Sequence, residues 1–168
     1  FTPQHKVISY FDYISKASSN VKIQPYGETY EHRPLEVAIV ASSENSAKLE
    51  DIRVNNLKLA GIQQGTGSES QPIIVWLSYN VHGNEAVSTE AAMRVLYELV
   101  NPANKQTKEW LKNTVVIIDP CLNPDGHDRY VNFYTERVGK EPNVNVITRE
   151  HQEPSPGGRP NHYLFDLN

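Results

Sequence analysis

Two apolar runs constrain this chain more than any other feature. Pro72-Ile73-Ile74-Val75-Trp76-Leu77-Ser78 and Thr114-Val115-Val116-Ile117-Ile118-Asp119 lack the alternation of a strand with one wet face. Each reads as a strand buried on both sides. Between them, residues 86–100 repeat Ala91, Ala92, Val95, Leu96 and Leu99, the single apolar stripe of a helix. A shorter helix around Lys105–Lys112 turns Trp110 and Leu111 inward. Strand, helix and strand over residues 73–119 form a crossover unit. The predicted class is therefore α/β, with a mixed, mostly parallel sheet flanked by helices.

The flanking segments extend this pattern. Thr2-Pro3 reads as a helix cap followed by proline at the first helical position, and Val7, Ile8, Phe11 and Ile14 recur at helical spacing over residues 4–17. Val21, Ile23 and Pro25 alternate as a short strand, and Leu35 to Ala41 reads as its antiparallel partner. Ser46 to Ala60 is predicted as a surface helix and Gln63 to Pro72 as a loop. From Asn123 the texture changes. Asn123-Pro124-Asp125-Gly126 reads as a turn, and residues 127–162 are polar, rich in proline and without a sustained period. So long a stretch is expected to be a functional loop or disordered.

The 168 residues suffice for one domain with a real core. A formal net charge of −4 argues against a nucleic-acid partner, which would call for a basic patch. No apolar run approaches the length of a membrane span. Phe1-Thr2-Pro3 does not open a signal peptide and reads as a mature boundary. The single cysteine, Cys121, excludes an internal disulfide and any cysteine-rich metal site.

Chemistry concentrates at His82-Gly83-Asn84-Glu85, where the first apolar run gives way to the helix. An imidazole and a carboxylate three residues apart can point at one metal ion, and zinc takes both donor types. Glycine between them allows a tight turn. Ligands of open α/β sheets gather at the carboxyl ends of strands. The competing reading is a surface turn whose polar residues cap the helix, where Glu85 is favoured by the helix dipole.

Three further segments extend the pattern. They are Asn123-Pro124-Asp125-Gly126 after the second apolar run, Asp166-Leu167-Asn168, and Gly27-Glu28 through Ala41 with Arg33-Pro34-Leu35. Together with the first motif, and in this order, they resemble the zinc carboxypeptidase, or funnelin, family. The resemblance runs over the whole chain and matches the N-terminal part of the family's catalytic domain, about half of its sheet. It implies a Zn²⁺-dependent hydrolase that removes C-terminal residues from peptides or proteins, with His82 and Glu85 as the first two metal ligands. It also implies Arg159 as the group that polarises the scissile carbonyl and Asn168 as a holder of the substrate's terminal carboxylate. Arg129, Arg137 and Arg149 compete for the role of Arg159.

In the family a third ligand, a histidine, and a glutamate general base come later than any residue here. The remaining histidines, His5, His32, His127, His151 and His162, match no ligand motif and are expected to be solvent-exposed. The expectation is of a truncated chain, inactive alone, that associates through an open sheet edge, from a secreted or periplasmic enzyme. Two other functions compete. N-acyl-amino-acid deacylases of the same fold also carry a His-Gly-Asn-Glu sequence, and a catalytically inactive binding module would keep the fold without the chemistry.

Overall fold

A computed structural model describes residues 1–168. The elements, in chain order, are α1 (Gln4–Ala17), β1 (Val21–Glu28), β2 (Pro34–Val40), α2 (Ser43–Ser46), α3 (Leu49–Leu59), β3 (Ile73–Ser78), α4 (Val87–Val100), α5 (Lys105–Trp110), β4 (Thr114–Asp119) and α6 (Pro124–Arg137). A short 3₁₀ turn follows at Arg149–His151. The four strands form one mixed sheet in the order β1-β2-β4-β3. β3 and β4 are parallel, whereas β1–β2 and β2–β4 are antiparallel. No helix is long and apolar enough to cross a membrane.

One face of the sheet carries the main core. Val7, Phe11 and Ile14 of α1 meet Ala92, Leu96 and Leu99 of α4 over Ala38, Val40, Val116 and Ile118. The 3.6-residue stripe of each helix is thereby laid on the alternate residues of β2 and β4. The other face is covered more thinly by α3, where Ile52 packs with Ala41 and Val115. α3 begins at Leu49, and the residues before it form the separate turn α2, capped by the Ser42 hydroxyl on the Asn45 N–H.

Further expectations are corrected here. β3 is not buried on both faces: it is the edge strand, and Trp76 is 59% exposed beside exposed Ile73 and Val75. α5 buries Leu111 but leaves Trp110 in solvent. Thr2 does not cap α1, since its hydroxyl and N–H both reach Glu90. Most consequentially, Asn123-Pro124-Asp125-Gly126 is not a free turn but the start of α6. Asn123 is its N-cap, accepting the Gly126 N–H at 3.0 Å, with proline at the first helical position. His127, on that helix, is 0% exposed and bonds the Thr2 carbonyl through Nε2 at 2.9 Å. The other four histidines lie in solvent as expected.

Glu36 is the one acid set into the core face without a partner. It lies on the α1 side of β2, 8% exposed, and its Oε1 has no hydrogen bond. Burial, and secondarily the charge of Asp12, push its carboxyl up to about 7. The folded protein therefore holds this proton more tightly than the unfolded chain, and stability must fall as pH rises from the ordinary glutamate range through about 7. Glu36→Gln should raise the Tm above about pH 7 and leave it little changed below about pH 4, where both forms are neutral. Thermal melts across that range check this.

Candidate metal centre

The turn after β3 is built by its backbone. Asn80 adopts a left-handed φ of 54°, which asparagine tolerates better than other side chains. Its buried amide donates to the Glu85 carbonyl at 3.0 Å and accepts from the Cys121 thiol at 3.3 Å. Burial pushes that thiol up, so Cys121 is a packing group and not a nucleophile. The Glu85 N–H then closes on the His82 carbonyl at 3.0 Å. One tight turn brings the side chains of His82 and Glu85 to the same side.

Those side chains converge. His82 Nδ1 lies 3.1 Å from Glu85 Oε1. The imidazole is buried while the Glu85 carboxylate is 57% exposed, so the pair opens to solvent on one side. On its other edge, His82 Nε2 meets Asp166 Oδ1 at 3.0 Å. Carboxylates only accept, and a neutral imidazole has one N–H. A neutral ring that donates to Asp166 turns the Nδ1 lone pair toward the Glu85 oxygen, a conflict that either a second ring proton or a metal ion resolves. Two ligands of one tetrahedral zinc stand about 3.3 Å apart, given bonds of about 2.0–2.2 Å. The Nδ1–Oε1 separation fits that, and a carboxylate on the other ring nitrogen is the usual support of a metal-bound histidine. No third histidine, cysteine or acid joins them as a ligand group.

The sequence motif gives Asp166 no role of its own. In the structure it is the hub. Its Oδ1 takes His82 Nε2 and, at 3.3 Å, the Asn168 N–H, and its Oδ2 takes Arg159 Nε at 2.8 Å. The hydrogen bond from Arg159 holds its carboxyl below the usual range. His82, Arg159 and Asn168, which the sequence singles out, thus lie around one carboxylate, and Glu85 joins them through the far nitrogen of His82. Two of the competing arginines are engaged elsewhere. Arg129 donates to the carbonyls of Gly157 at 2.7 Å and Pro160 at 3.3 Å, and Arg149 bonds the Arg137 carbonyl at the far end of α6.

The Arg159 segment is held against the His82 turn by close passage of main chain. A Cβ on Gly83 would run into the Gly126 and His127 backbone and come 2.5 Å from the Gly158 carbonyl oxygen. Gly83 is therefore required for close approach; its φ is not among the left-handed ones. Asn123 Nδ2 donates to the Arg159 carbonyl at 3.0 Å from the start of α6. α6 is fixed in turn by Arg33 on the hairpin, which pairs with Asp125 at 2.9 Å and Asp128 at 2.8 Å. Burial disfavours the Arg33 charge, but bonds to Asp128, Glu31 and Asp125 outweigh it and raise its pKa.

Residues 7–166 match the family model described as zinc carboxypeptidase. The chain belongs to the zinc carboxypeptidase family. Among solved structures it is similar to bovine thrombin-activatable fibrinolysis inhibitor in complex with a tick carboxypeptidase inhibitor, at 17% identity and TM-score 0.55, covering 78% of this chain and 34% of that one. It also resembles carboxypeptidase A from Helicoverpa armigera, at 20% identity and TM-score 0.56, covering 77% and 26%. A metallo-carboxypeptidase from Burkholderia cenocepacia aligns at 14% identity and TM-score 0.55, covering 74% and 28%. At these identities the likeness is one of fold, and the chain spans between 26% and 34% of those chains.

Gly83→Ala tests the close passage. The neighbours it would strike are backbone, which cannot swing aside as a side chain can. A loss of about 1–3 kcal/mol is expected, read as a Tm lower by roughly 2–4 °C per kcal/mol.

Proposed function

We propose that this chain carries part of the centre of a zinc-dependent hydrolase that removes C-terminal residues from peptides. The observation that carries the reading is the convergence of His82 Nδ1 and Glu85 Oε1 at 3.1 Å, with Nε2 anchored on Asp166, in a member of this family. His82 and Glu85 would hold the zinc. Two ligands hold zinc weakly, so the reading includes a third ligand and a general base supplied from beyond these residues. A zinc ion so bound lowers the pKa of water and polarises a carbonyl.

The chain's own residues do the rest. Asp166 fixes the ring orientation of His82 and keeps its proton on Nε2. Arg159 spends only Nε on Asp166, which leaves both terminal nitrogens free to donate to a carbonyl oxygen that becomes negative during attack. Asn168, tied to the same carboxylate through its N–H, would offer its amide to a terminal carboxylate. Selectivity for a free C-terminus would follow from such donors.

The test is metal analysis joined to an assay of the full-length protein against peptides, their C-terminal amides and N-acyl amino acids. Zinc bound in the parent and lost in His82→Ala, with cleavage of free-ended peptides only, is expected. Arg159→Ala should retain zinc and lower kcat by about 10²–10³-fold. A metal-free parent would sink the reading in favour of a binding module, and cleavage of acyl amino acids alone would favour a deacylase.

The reading also includes association through the open side of β3, because an unpaired edge with exposed Trp76 offers both hydrogen bonds and apolar surface. Light scattering should show concentration-dependent growth in mass that Trp76→Lys suppresses. A clean monomer at high concentration contradicts it.

A further inference from the structure

Gly83 and Asn84 stand between the two proposed ligands, and both engage the Arg159 segment. Asn84 Nδ2 donates to Glu153 Oε2 at 3.1 Å. The other oxygen of that carboxylate, Oε1, accepts the Gly158 N–H. One carboxylate therefore joins the turn bearing His82 and Glu85 to the residue before Arg159. The loop is shaped around it. Gly157 takes a left-handed φ of 58°, and a Cβ there would lie 3.1 Å from Glu153 Oε1. Asn123 and Arg129 grip the same loop from α6, but only through its carbonyls. The Gly158 N–H, on a buried residue, has Glu153 as its partner.

We propose that Glu153 is a positioning residue for Arg159. It reaches no reacting atom. It fixes the backbone of Gly158 on the metal-binding turn, and so sets where the Arg159 side chain leaves the loop to meet Asp166. This rests on the reading of His82, Glu85 and Arg159 as one site. Removing the Glu153 carboxylate strands the Gly158 donor and releases Asn84 together, so the turn and the arginine lose their common reference.

The experiment uses ¹⁵N-labelled, metal-free protein. The Arg159 Nε–H signal is assigned by its disappearance in Arg159→Lys, and its exchange with solvent is measured. Glu153→Ala should speed that exchange about tenfold or more, the scale of one lost hydrogen bond. Glu153→Gln, whose carbonyl oxygen still accepts from Gly158, should retain most of the protection. A carboxylate that merely stabilised the loop would lower the Tm and leave Arg159 exchange unchanged in folded Glu153→Ala, which overturns the proposal. Should Glu153→Ala fail to fold, Asn84→Ala cuts the same link from the other side: faster exchange supports the proposal and unchanged exchange overturns it. Zinc titration of the full-length protein is read separately. If it binds none, the metal reading fails while the exchange result still decides the role of Glu153.

Discussion

A single carboxylate organises the functional end of this molecule. Asp166 accepts from the imidazole of His82, the guanidinium of Arg159 and the backbone of Asn168. Without an acceptor on Nε2, the His82 ring has no reason to prefer the tautomer that frees Nδ1, and the pairing with Glu85 loses its directional support. The same oxygen atoms restrain the arginine. The orientation of the imidazole and that of the guanidinium are thus not independent in this fold, because both are measured from one side chain.

The framework that delivers Asp166 is largely polar. The core of α1, α4 and the sheet secures the strand ends. The loop beyond α6 is positioned by Arg33 against Asp125 and Asp128, by Asn123 and Arg129 against loop carbonyls, and by glycines that let chains pass closely. Buried polar contacts of this kind tolerate little relaxation, since each unmade bond leaves a desolvated group behind. Hydrophobic burial gives the domain its bulk stability, and the polar contacts give the site its coordinates.

What could be read in the sequence follows the same division. α1, β2, α4 and β4 announce themselves because their apolar residues recur at the period of the element that buries them. α6 escaped because its buried side is made of Pro124, Asp125, Gly126 and His127 before Val131 and Phe133 appear, so no apolar stripe marks it. Its signal in the sequence is the Asn123-Pro124 start, a cap followed by proline, which a turn shares. β3 misled in the opposite way: an apolar run reports what a strand is suited to contact, not which neighbours lie beside it. His82 and Glu85 were legible since a turn of four residues brings them together. Asp166, 84 residues from its histidine, was not, because only the folded chain brings the two into contact.

Arg159 is gripped at both ends, its carbonyl by Asn123 and its Nε by Asp166. Freezing so long a side chain costs roughly 1.5–2 kcal/mol of rotamer freedom. Here that cost has been met during folding, so any ligand that met the remaining guanidinium nitrogens would have little left to immobilise.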